Sequence, residues 1–202
     1  MTATVPPPRP ASARVPDARV ASMFVDRWSR RALSPTPLGA DTVQSLLEAA
    51  RWAPSSGNSQ PWLFVYADDE ETLAEARPVL NDANRRWADK APLLLFVFAR
   101  RNDVRNGKPL LSGQFDTGSA WMSLALQAHA LGLTAHGMLG FHRDKAHEVF
   151  GVPSDVYEVM AAIAVAYPGD VDALPEDLKA REQPNSRKPV AEFAFRARFR
   201  SG

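Results

Sequence analysis

The chain has 202 residues, 45% of them apolar or aromatic, which is ample material for a packed core. Lys and Arg total 24 against 23 Asp and Glu, a net charge of +1 that argues against a protein built to bind a nucleic-acid backbone. There is no cysteine, so disulfides, thiolate nucleophiles and Cys-ligated metals are excluded.

His129, His136, His142 and His147 are scattered without the spacing of a zinc enzyme, so no metal site is expected. No apolar run approaches the ~20 residues needed to cross a bilayer. The opening MTATVPPPRPASARVP has no secretory apolar stretch. Residues 1–16 are expected to form a disordered, proline-rich leader before a single domain over 17–202, with the cytoplasm as the default location.

In chain order, Val20, Met23, Phe24 and Trp28 suit a helix from Asp17 to about Arg30. Leu33 to Ala40, with Pro35 and Pro37, is a loop. Asp41, with Gln44 three residues on, offers an N-cap to a helix whose apolar face is Val43, Leu46, Leu47 and Ala50. Pro54 ends that helix, having no N–H to give. RWAPSSGNSQPW follows, with more hydrogen-bonding side chains than a simple connection needs.

Leu63 to Ala67 reads as a strand and Asp69 to Leu80 as a charged helix. PLLLFVFA at 92–99 reads as a central strand with two sides to bury. Asn102 to Gly113 is a polar loop. Asp116 is placed to cap a long helix through Trp121, Leu124, Ala125, Ala128 and Leu131, closed by Gly132. A strand at 133–138, a helix at 144–150 and a strand at 157–166 follow. In EFAFRARFR, Phe193, Phe195 and Phe199 alternate with arginines, the pattern of an edge strand or arm. The fold class is α+β, with helices on a mixed or antiparallel sheet.

No GxSxG elbow, P-loop or GxGxxG is present, so a catalytic serine, a phosphate loop and a Rossmann site all lack support. An enzyme without its own reactive side chain needs a cofactor. Arg27-x-Ser29-x-Arg31 sets two guanidiniums about a hydroxyl at alternate positions, suiting a dianionic group with several acceptor oxygens.

Together with APSSGNSQPW, this element resembles the FMN-dependent nitroreductase family. Collinear matches run from about residue 24 to 195. They include Asn84 before Ala91-Pro92, Asp116-Thr117-Gly118, Gly137 to Phe141, IAVAYP at 163–168 and Asn185-Ser186-Arg187-Lys188-Pro189. Two positions depart from the family pattern. Ala166 stands where a glycine is usual, and Leu139 where several members have a glutamate.

The resemblance implies an intertwined homodimer with an FMN site at its interface. Arg27, Ser29, Arg31 and Arg187 would hold the flavin phosphate. Pro54, Ser55, Ser56, Asn58 and Gln60 would line its polar edge and ribityl chain, where Gly57 permits the turn. Asn84, or alternatively Asn81, would meet the isoalloxazine, beside the loop Gly137, Met138, Leu139 and Gly140. Trp52, Trp62 and Trp121 would anchor the core or the interface, and the C-terminal arm would wrap the partner.

The implied reaction is ping-pong hydride transfer from NAD(P)H to a nitroaromatic, quinone or similar small acceptor. Dehalogenation, enoyl reduction, flavin fragmentation and non-catalytic flavin binding are the alternatives on the same fold. Neither nucleic acid nor membrane is an expected partner.

Overall fold

The apolar run at 92–99 becomes strand β2, Leu93–Arg100, in which every residue from Leu93 to Ala99 is buried. Both its faces must be covered, and the chain supplies a layer of helices for each. The computed structural model describes residues 14–198. Four strands, β1 Trp62–Ala67, β2, β3 Thr134–Met138 and β4 Tyr157–Ala166, form one sheet in the order β1-β2-β4-β3. Every pairing is antiparallel.

Side chains alternate across a strand, and two core layers follow from that period. On one face Leu94, Phe96, Phe98, Met138, Ala162 and Ala164 pack with Leu73, Ala76, Trp87, Ala88 and Ala146. These last come from α3 (Glu70–Ala76), α4 (Asp82–Ala88) and α6 (Arg143–Phe150). On the other face Leu93, Leu95, Val97, Ala135, Ile163 and Val165 meet α2 (Ala40–Arg51) and α5 (Gly113–Ala130). The register shifts between Val97 and Phe98, so Val159 joins the first layer rather than the second.

Several expectations are corrected. The first helix, α1, spans only Ser22–Asp26. In a longer helix the carbonyls of Val25 and Arg27 would accept backbone N–H groups. Here both accept from the Arg14 guanidinium, and Arg31 N donates to Glu182 instead. α2 is capped by Gly39 without a side-chain bond, so Asp41 lies in its first turn, where a carboxylate suits the helix dipole. Asp69 does cap α3 through Thr72, but the helix stops at Ala76 and a 3-10 turn over Arg77–Val79 follows around Pro78.

α4 is a helix where the sequence reading carried only an asparagine pattern. Asn81 caps it, accepting from Asn84 N at 3.0 Å. α5 begins at Gly113, three residues before its expected cap, and a methyl on Gly113 would meet Arg100 O at 2.7 Å. Gly132 follows it at φ +74°, the left-handed position expected.

The expected C-terminal edge strand is absent among the described residues. Val190–Glu192 is a 3-10 turn, and no ladder follows it among the described residues. Phe199 and Arg200 lie outside the described residues. Ala166 is fully buried opposite Thr134, its methyl absorbed by the first core layer. The close backbone approach occurs instead at Gly169, where a methyl would lie 2.4 Å from the carbonyl carbon of Leu33. No helix among the described residues is long and apolar enough to cross a membrane.

Candidate functional site

After α1 the backbone turns extended at Arg27, with φ −66° and ψ 128°, and passes the side chains of Thr134 and His136 on β3. Arg30 N donates to Thr134 Oγ1 at 3.3 Å, and Arg30 O lies 2.9 Å from His136 Nδ1. Extended backbone sends alternate side chains the same way. Arg27, Ser29 and Arg31 therefore enter one cavity of about 380 Å³, and Arg187 reaches it from the C-terminal segment.

The cavity also receives two arginines that sequence reasoning missed, Arg14 and Arg181. No carboxylate lines it among the described residues. Burial and the nearness of Arg187 lower the pKa of Arg27, and burial and Arg181 do the same to Arg31 against the opposing pull of Glu182. The guanidiniums stay charged all the same, so like charges face one another across the cavity and an anion would relieve them.

Two further features fit an anion. Ser29 Oγ has no hydrogen-bond partner among the described residues, and Trp28 Nε1 is buried without one. His136 closes the wall with its ring 4.5 Å from that of Trp87. Burial, with Arg31 and Arg27 adding, pushes its pKa down to about 4 despite the Arg30 carbonyl, so the imidazole is neutral at pH 7.

The residues of the 54–60 stretch gather elsewhere. Ser55 Oγ accepts from Gln60 N at 3.1 Å, and Gln60 Nε2 donates to Asn58 O and Oδ1 at 3.2 and 3.1 Å. Gly57, Asn58 and Gln60 have φ of 56°, 54° and 45°. Left-handed backbone is ordinary for glycine, tolerable for asparagine and costly for glutamine. Such strain persists where surrounding contacts over-determine it.

Two contacts hold this turn. Buried Asp116, inside the first turn of α5 rather than capping it, accepts Ser56 N at 3.1 Å. Arg105, gripped by Asp103 at 2.6 Å, lays its guanidinium over Gly57, where a methyl would lie 3.0 Å from Nη1. Pro54 starts the exposed turn, and Ser59 Oγ is buried without a partner.

The third group forms where β3 ends. Gly140 O accepts from Asn81 N at 3.1 Å and from Asn84 Nδ2 at 2.9 Å, so both candidate asparagines meet the expected loop. A methyl on Gly140 would stand 2.6 Å from the side-chain amide nitrogens of Asn81 and Asn84, so a larger residue would displace both amides. Met138 is buried in the first core layer, Gly137 abuts Trp121 and Leu139 is 73% exposed.

The sheet register measures how far apart the first two groups lie. His136 pairs with Ala164, Ala164 with Leu94 and Leu94 with Ala67. The arginine cavity thus stands three strand spacings, roughly 14 Å, across the sheet from Ala67. Gln60 lies seven residues before Ala67, roughly 23 Å along the strand axis. The two groups are therefore on the order of 25 Å apart within one chain.

A family model described as the nitroreductase family matches residues 25–86 and 75–167. NADH dehydrogenase from Thermus thermophilus is 28% identical, over 79% of this chain and 91% of its own. A Rhodopseudomonas palustris protein named NADH dehydrogenase/NAD(P)H nitroreductase is 30% identical, over 64% and 76%. A solved structure described as an oxidoreductase containing FMN superposes with a TM-score of 0.89 at 41% identity, over 94% of this chain and 97% of that one. An enone reductase of gut-bacterial fatty acid saturation shares the fold, with a TM-score of 0.73 at 19% identity over 91% and 100%. The chain belongs to the nitroreductase family.

Proposed function

We propose that the protein is a cytoplasmic FMN-dependent oxidoreductase that takes hydride from NADH or NADPH and passes electrons to a nitroaromatic or quinone-type acceptor. One observation carries the reading. Arg27, Ser29, Arg31 and Arg187 converge on a cavity without a carboxylate among its described lining residues. A phosphate monoester, with about −1.5 to −2 charges and three acceptor oxygens, matches that donor set. The 41% identical oxidoreductase that contains FMN supports the same cofactor.

FMN bound there would supply the redox chemistry, taking up two electrons and passing them on. The chain's own residues bind and orient. Arg27, Arg31 and Arg187 would hold the phosphate, with Ser29 as a further donor. Ser55, Ser56, Asn58 and Gln60 would meet the polar edge and ribityl chain. Asn84, with Gly140, would border the ring. No side chain is assigned as a general acid or base, and one cleft serving donor and acceptor in turn gives ping-pong kinetics.

A homodimer belongs to this proposal. Two groups on the order of 25 Å apart cannot close on one flavin from a single chain. A second copy can bring its 54–60 turn to the first copy's arginine cavity. Trp52, expected in a core or an interface, is 73% exposed, and Leu111 and Phe115 beside the turn's support are 95% and 80% exposed. Exposed apolar groups of this size suit a partner surface.

The test is an absorption spectrum followed by anaerobic titration. Bands near ~450 nm that bleach with NADH or NADPH, then recover with a quinone or nitroarene, are expected. A colourless protein that refuses added FMN would sink the reading.

A further inference from the structure

Arg14 lies within the stretch that the sequence marks as a leader, yet its side chain enters the arginine cavity. Three of its five N–H donors are fixed. Nε donates to Asn185 O at 2.9 Å, and Nη1 donates to Val25 O at 2.8 Å and Arg27 O at 2.7 Å. The guanidinium thus ties the turn after α1 to the C-terminal segment that carries Arg187. Nη2 has no hydrogen-bond partner among the described residues.

The same two termini meet a second time, where Val190 N donates to Asp17 Oδ2 at 2.8 Å. Burial, then the nearness of Arg187 and Arg27, lowers the pKa of Arg14, with Asp26 opposing. A guanidinium held among like charges by three neutral carbonyls gains from an anion what those carbonyls cannot provide.

We propose that Arg14 is a phosphate-binding residue of the cofactor site, so that the segment from Arg14 to Asp17 forms part of that site together with residues 185–190. The inference rests on the flavin reading and adds to it. Nη2 is the donor offered to the phosphate, while Nε and Nη1 hold Asn185 and Arg27 in place. Arg14 accordingly has two effects, one direct through charge and one through the position of Arg187.

The test compares wild type, Arg14→Ala and Arg14→Lys by flavin fluorescence titration with FMN and with riboflavin, which lacks the phosphate. Arg14→Ala is expected to weaken FMN on the order of tenfold to a hundredfold while riboflavin is unchanged. Arg14→Lys restores the charge without the planar fork and should recover part of the loss. Equal weakening of FMN and riboflavin by Arg14→Ala would overturn the proposal, leaving Arg14 a purely structural tie. Unchanged FMN affinity would overturn it too.

Thermal unfolding of the same three proteins with inorganic phosphate keeps the two readings apart. If wild type binds neither flavin but is stabilised by phosphate, and Arg14→Ala loses that stabilisation, Arg14 stands as an anion ligand and the flavin reading falls. If phosphate stabilises wild type and Arg14→Ala alike, the Arg14 proposal falls alone. If wild type ignores flavins and phosphate together, both fall.

Discussion

The arginine cavity at the β3 edge and the 54–60 turn at the β1 edge are built on opposite plans. The cavity assembles long cationic side chains from three separate places, Arg14, residues 27–31 and residues 181–187. Its backbone is relaxed, and its tension is electrostatic. The turn is one continuous stretch of short polar side chains, and its tension sits in the left-handed backbone of Gly57, Asn58 and Gln60. Under the proposed function, charge would read the phosphate and fixed backbone the ring edge, so substitutions in the two regions should separate phosphate binding from ring binding.

The largest effect is expected from Gly169→Ala. Its methyl would strike the backbone of Leu33 and Ser34 at 2.4 to 2.7 Å, beside the segment that carries Arg31. Backbone cannot yield as a flexible side chain does, so a loss of about 3 kcal/mol or more in urea unfolding is expected. Wild-type stability in this variant would show that the 31–34 segment moves freely and that the cavity wall is soft.

Arg27→Ala combined with Arg31→Ala removes two charge-assisted donors. FMN affinity should fall at least about a hundredfold, with riboflavin affinity within about threefold of wild type. Parallel loss of both flavins would erase the division of labour between the regions. Asp116→Ala acts on the other region by leaving the Ser56 N–H unmet, at a cost of about 1–3 kcal/mol. Here FMN and riboflavin should weaken together, and a loss confined to FMN would contradict the assignment of the turn.

The smallest effect is a pH dependence on the cavity side. The folded pKa of His136, about 4, lies below the ordinary 6.5, so the unfolded chain binds more protons between those values. Stability is complete above pH 6.5 and declines as pH falls toward 4, with about 1–2 kcal/mol lost between pH 6.5 and 5. The groups facing the ring are Arg27, Arg31, the Arg30 carbonyl and Trp87. His136→Gln should flatten that part of the unfolding profile, and an unchanged slope would show that His136 does not titrate there.

What was legible in the sequence follows the same division. Strand β2 announced itself because an unbroken apolar run has one stable home between two layers. The Arg27-Ser29-Arg31 alternation was legible because an extended segment turns local spacing directly into a shared direction. Long-range contacts were not legible. The shortening of α1 depends on Arg14 and Glu182, which compete for its backbone from far along the chain or outside its hydrophobic period. Asp116 has the composition of a helix cap, and only the position of Ser56 gives it another partner. Arg14 lay among prolines with no periodic or motif signal around it. The C-terminal Phe/Arg alternation satisfied the strand period, but a period does not supply an edge to pair with.

In the proposed dimer one flavin takes its phosphate contacts from one copy of the chain and its ring contacts from another. Co-expression of two differently tagged chains, one Arg27→Ala/Arg31→Ala and the other Gly57→Val, tests it directly once the doubly tagged dimer is purified. The valine forces a β-branched residue into left-handed backbone beneath Arg105 and so disables the turn. Each parent homodimer should be empty of flavin, and the mixed dimer should hold one FMN per two chains at its single intact composite site. A mixed dimer as empty as its parents, or a wild-type monomer that retains FMN, would rule out the composite site.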